Sequence, residues 1–187
     1  EIWRGLGSPA SPGMFTSSEM FVAFGVLAIN GVMVLIKDNR RAFFAALAIC
    51  ALGFALMAVA LVARDRHQID GFTFMVLTGL GLYLPYVATH TTIFERMLGM
   101  TRERGNIGFL MYVADSFGYL GYVVVMIVRN FVPVTFDFIG LLTAACWTSV
   151  GLALCCLFVS WCYFSKLATP APEPAVPVVP RPVEAIP

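Results

Sequence analysis

The sequence predicts an all-α fold, a polytopic transmembrane bundle of five spans, and three observations carry that prediction. Five apolar stretches, approximately 20–36, 42–63, 71–94, 107–128 and 138–163, punctuate the chain. Each approaches the ~20 residues that a helix rising ~1.5 Å per residue needs to cross a ~30 Å hydrocarbon core. Hydrophobic residues make up 59% of the 187 residues and charged ones 12%, well below the ~25% usual in soluble domains. The charges fall almost wholly between the apolar runs, whereas a soluble five-helix bundle carries a polar stripe along each helix.

The elements follow in chain order. Residues 1–19 are short of apolar length and rich in Gly, Pro and Ser, so they are expected as an external loop and not as a signal peptide. Because the chain opens on Glu1 without an initiator Met, further sequence is expected upstream. Thr16 with Glu19 three residues on has the spacing of a capping box for the first span. Asp38 or Asn39 can cap the second, Asp70 the third, Asn106 the fourth and Asp137 the fifth. In the third span Pro85 removes one helical hydrogen bond, and Gly79 and Gly81 soften the turn before it, so a bend is expected there. Residues 165–187 are Pro-rich and are expected as a disordered cytoplasmic tail. The Pro177–Pro180 spacing also admits a docking peptide for a proline-binding module.

Charge and motif content exclude several classes. A net charge of +1 argues for no nucleic-acid partner. No H-E-x-x-H, no G-x-S-x-G and no second deep carboxylate is present, so neither an enzyme nor a cofactor is expected. Cys50, Cys146, Cys155, Cys156 and Cys162 all sit in apolar runs without metal-ligand spacing or His neighbours, where a thiol acts as a small hydrophobe. Cys162, near the end of its span, also allows reversible acylation.

The polar residues inside the spans point to a site. Helical spacing puts Tyr112, Asp115, Tyr119 and Tyr122 on one face of the fourth span, with Gly118 and Gly121 on the adjoining one. A carboxylate at that depth costs ~2.5 kcal/mol or more unless it faces a partner or a water-filled cavity. Asp115 is therefore expected to face the bundle interior, as part of an ion, proton or substrate pathway or as interhelical glue. The glycines are expected against a neighbouring helix. Tyr83, Tyr86 and His90 form a polar face on the third span and are candidate partners. His90 suits proton coupling by its ordinary pKa, but near the span's expected end at Glu95 an interfacial hydrogen bond is the favoured role. Between these spans Glu95, Arg96, Arg102 and Arg104 could latch a cytoplasmic gate or serve only as topogenic charge.

Leu80-Gly-Leu-Tyr-Leu-Pro-Tyr86, Ile93-Phe-Glu-Arg96 and Asn106-Ile-Gly-Phe-Leu-Met-Tyr-Val-Ala-Asp-Ser-Phe-Gly-Tyr-Leu-Gly121 resemble the C-terminal region of an uncharacterised bacterial multi-pass family, a domain of unknown function similar to the major facilitator superfamily. The likeness covers about residues 1–132. Lys37-Asp-Asn-Arg-Arg41 resembles, without its glycine, the basic loop of facilitator transporters. The resemblance implies that these spans correspond to the last five of twelve helices, that the N-terminal half is a missing partner, and that the site lies between two halves. The expectation is a fragment of a facilitator-like transporter for an unknown small solute in the bacterial inner membrane. The alternative is a non-transporting membrane scaffold or sensor.

Orientation follows from the twelve Lys and Arg. Lys37, Arg40, Arg41, Arg96, Arg102, Arg104, Lys166 and Arg181 lie on one side of the bilayer, and Arg4, Arg64, Arg66 and Arg129 on the other. The richer side is cytoplasmic by the positive-inside bias, which puts the N-terminus outside and the tail inside. In a variant stripped of native thiols, a cysteine at Gln68 is expected to react with an impermeant reagent in intact cells while one in the tail stays protected. The opposite pattern reverses the assignment.

Overall fold

The structure, a computed structural model, describes residues 12–101, 105–131 and 138–167. The expected cap Asp137, the gate residues Arg102 and Arg104, and the tail beyond Leu167 lie outside the described residues. Within them are five helical runs long and apolar enough to cross a membrane.

Helix α1 spans Pro12–Val32 and closes in a short 3-10 turn, Met33–Leu35. It starts earlier than expected, at a proline, whose missing N–H costs nothing in a first helical turn. Thr16 and Glu19 are therefore inside the helix and not at its cap. Helix α2, Asn39–Asp65, is capped by Asp38, whose carboxylate accepts from Arg41 N–H at 2.7 Å. It ends with His67 in the left-handed region at φ 54°. Gln68 N–H donates to Ala63 O at 2.9 Å and His67 N–H to Arg64 O at 2.8 Å, the paired bonds of a Schellman end. Helix α3, Gly71–Ala88, is capped by Asp70, which accepts from Thr73 N–H at 3.4 Å. Hydrogen bonds from Thr73, its side chain foremost, hold the Asp70 carboxyl below its usual value.

The third run continues past its expected end at residue 94. A π-helical turn, Thr89–Ile93, leads into α4, Phe94–Thr101. Helix α5, Ile107–Phe131, is capped as expected, with Phe109 N–H donating to Asn106 Oδ1 at 3.3 Å. Helix α6 spans Phe138–Leu167.

Packing runs α1, α3, α2, α6 in a row, with α2 the most covered element. Phe43 of α2 meets Phe164 of α6 edge-on at 4.9 Å, and Phe44 meets Trp161 at 4.8 Å. Met57, Ala60 and Leu61 of α2 join Phe74 of α3 and Cys146 and Val150 of α6 in one buried cluster. Lipid is as apolar as these side chains, so close fit and dispersion, not exclusion from water, hold the helices together.

The tightest fit is the α2–α3 crossing. A Cβ on Gly53 would lie 2.8 Å from the Pro85 ring and 3.0 Å from Gly81 O, and one on Gly81 would lie 2.9 Å from Gly53 O. The two glycines thus lay carbonyl against Cα in both directions, the geometry of weak Cα–H···O bonds. Gly81 O is the carbonyl that Pro85, lacking an N–H, cannot bond in the helix. Its contact with Gly53 accounts for the proline's tolerance in the span.

Helix α5 is peripheral: no residue of its span window is buried. A Cβ on Gly118 or Gly121 would meet nothing within 4 Å. Among the described residues no helix is seated on these two glycines. The close approach belongs to Gly53 and Gly81.

Gly53→Ala is expected to destabilise the bundle by about 2 kcal/mol through overpacking against Pro85 and Gly81. Gly118→Ala is expected to be neutral or to stabilise by up to ~1 kcal/mol, through helix propensity alone. Denaturation in mixed micelles reads both, and equal effects at the two positions would contradict the packing.

Candidate functional site

Asp115 is the one acidic residue of α5, and it meets the third run at the π turn. His90 Nε2 lies 2.9 Å from Asp115 Oδ1, and His90 Nδ1 lies 2.9 Å from Tyr86 O. The Tyr86 ring stacks at a tilt on the imidazole, with centroids 4.3 Å apart. Both side chains are partly open, 22% for His90 and 40% for Asp115.

The π turn positions His90, and its cause is local. Four polar residues, Thr89-His-Thr-Thr92, follow Pro85. Thr89 Oγ1 donates to Pro85 O at 2.8 Å and Thr91 Oγ1 to Val87 O at 2.8 Å, so hydroxyls bond carbonyls through the widened turn. The helix runs on to Thr101, so His90 lies within a continuous helical run and not beside its end. Its bond is to Asp115, deep in the fourth span.

Tyr86 O can only accept, so in the tautomer that bonds it Nδ1 bears a hydrogen. A neutral imidazole of that tautomer has only a lone pair at Nε2, which cannot bond a carboxylate. In that tautomer the 2.9 Å contact between Nε2 and Asp115 Oδ1 therefore holds one proton. Removal of that proton sets a lone pair against a carboxylate and breaks the bond.

Of the expected pathway residues, the structure gathers Asp115, His90 and Tyr86. Tyr112, Tyr119 and Tyr122 share the Asp115 face but remain 76%, 74% and 64% exposed, and Tyr83 of α3 is also exposed. Among the described residues none of them is hydrogen-bonded to the pair. Of the expected gate residues, Arg96 donates from Nη1 to Asn39 Oδ1 at 2.8 Å, and Asn39 also sits against Gly99 of α4. That contact ties the end of the third run to the start of α2, through an amide and not through an acid. Glu95 is exposed beside it.

Sequence reasoning passed over a second polar locality. Asn30 of α1 lines a cavity of ≈ 460 Å³ together with Thr91, Thr92, Glu95 and Arg96. Its signal was present: Asn30 is an amide late in an otherwise apolar run. Among the described residues no group of three His, Cys, Asp or Glu is placed to hold a metal ion. The five cysteines are free, Cys50 and Cys146 buried and Cys155 and Cys156 facing outward.

Residues 1–167 match the model of a family of unknown function, DUF5690, and the chain belongs to that family. No curated protein and no solved structure matches it.

Proposed function

We propose that this DUF5690 chain is part of a facilitator-like secondary transporter for a small solute, with His90 and Asp115 as its proton-coupling element. The observation that carries the reading is the 2.9 Å contact between His90 Nε2 of the third run and Asp115 Oδ1 of α5, which holds a single proton when Nδ1–H donates to Tyr86 O. With the proton in place, α5 is tied to the bundle. Without it the tie opens, and among the described residues α5 packs against little else. Proton loss is thereby linked to a helix displacement, which is what alternating access between two half-transporters requires.

In this reading the other helices of a twelve-helix transporter cover the outward face of α5, where Tyr112, Tyr119 and Tyr122 line the cavity between halves, with Tyr83 nearby. Glu95, Arg96, Arg102 and Arg104 belong to the cytoplasmic gate. The likeness of Lys37–Arg41 to a facilitator loop and the distribution of basic residues support a bacterial inner-membrane protein with its N-terminus outside. No enzymatic step and no cofactor enter the scheme.

A second reading is favoured by the same bond taken structurally. As an interhelical tie, His90–Asp115 suits a membrane scaffold or sensor that moves no solute.

Asp115→Asn separates the two. The amide can donate to the Nε2 lone pair while Nδ1–H still bonds Tyr86 O, so the tie survives without an exchangeable acid. Full-length protein in proteoliposomes with a trapped pH-sensitive dye is expected to lose solute-driven proton movement by at least ~10-fold, at unchanged membrane abundance. A variant with wild-type proton movement, or with a fall in abundance alone, supports the scaffold.

A further inference from the structure

We propose that the cavity between α1 and the third run binds a small zwitterion, a primary ammonium joined to an anionic group a few bonds away. This site is separate from the His90–Asp115 contact, although the π turn serves both: His90 faces α5, and Thr91 and Thr92 face the cavity.

Three observations carry it. The first is charge. Glu95 and Arg96, adjacent in sequence, both line the cavity, so its wall offers one anion and one cation with no net charge, the complement of a zwitterion. Arg96 is held in place by its Nη1 bond to Asn39 Oδ1 at 2.8 Å, and a guanidinium carries four further N–H donors for an anionic group.

The second is an orphaned acceptor. Asn30 Nδ2 donates to Val26 O at 3.2 Å. Its Oδ1 is buried without a hydrogen-bond partner among the described residues. A buried acceptor of this kind is satisfied when a donor enters the cavity and the side chain turns toward it, and an ammonium brings three N–H donors. With Glu95 it forms the acceptor side of the site.

The third is size and lining. At ≈ 460 Å³ the cavity is in the range of small-molecule pockets, and Val26, Leu27 and Val87 supply an aliphatic wall beside the polar groups. A free aliphatic amino acid fits that combination. The phosphoethanolamine headgroup of a lipid carries the same pairing of ammonium and anion.

The test is equilibrium binding by the full chain in detergent, read as the midpoint of thermal unfolding and by calorimetry. It needs no transport, so failure of the transporter reading leaves the result intact. The probes are leucine, isocaproate, which lacks the ammonium, isoamylamine, which lacks the carboxylate, and phosphatidylethanolamine against phosphatidylcholine in mixed micelles. Leucine is expected to raise the midpoint and to bind at least ~10-fold more tightly than either truncated analogue. Stabilisation by phosphatidylethanolamine alone also supports the site and assigns its ligand to the bilayer. Asn30→Ala and Glu95→Gln should each weaken the effect. Glu95 is exposed, so its variant carries the test if Asn30→Ala misfolds. The proposal is overturned if neither zwitterion shifts the midpoint. It is equally overturned if isoamylamine or isocaproate matches leucine, or if Glu95→Gln binds as the parent does.

Discussion

A polar group inside hydrocarbon must find its partner within the protein, and for Asp115 that partner is His90. The condition decides more than one contact. It ties α5 to the third run and places the imidazole between the Tyr86 carbonyl, which can only accept, and the Asp115 carboxyl. Among the described residues, a helix with no buried residue in its span window thus meets the third run through a hydrogen-bonded pair of ionisable side chains.

The rest of the bundle obeys a second membrane constraint, that helices gain nothing by hiding apolar surface from lipid. They associate where their surfaces fit. Gly53 and Gly81 let α2 and α3 approach to backbone contact, Pro85 lies on Gly53, and the carbonyl that the proline leaves without a helical donor is met there. The turns that follow are built from hydroxyls bonding carbonyls, and they set His90 on one side of the rod and Thr91 and Thr92 on the other.

Much of this was legible in the sequence because its signals are local. Five apolar runs of membrane length gave five spans, and Asp38, Asp70 and Asn106 marked three starts, each with a side-chain bond to the first turn. The depth of Asp115 required a partner, and the third run contained it. What the sequence hid was set by geometry between elements. Gly118 and Gly121 share one face of one helix and meet no other among the described residues, whereas Gly53 and Gly81 stand on two helices and meet each other, a pairing that no spacing within one span specifies. The length of the third run was misjudged because Glu95 and Arg96 read as a boundary, whereas the helix carries them along a cavity that Asn30 also lines, with Arg96 bonded to Asn39. The first start was placed late because the Thr16–Glu19 spacing competes with a proline at position 12 that begins the helix without a cap box.

The protonation state of His90 tests the account most directly. Nitrogen-15 NMR of the full chain in lipid, with the imidazole resonances assigned by a His90→Gln variant, distinguishes the two ring nitrogens. The account predicts a protonated Nδ1 as long as the pair is intact, with a proton shared between Nε2 and Asp115. On raising the pH, the Nε2 signal should change together with the carboxyl stretch of Asp115. A neutral ring with Nδ1 bare and Nε2–H donating to an ionised Asp115 would contradict it, because the contact would then need no exchangeable proton and would not couple proton loss to release of α5.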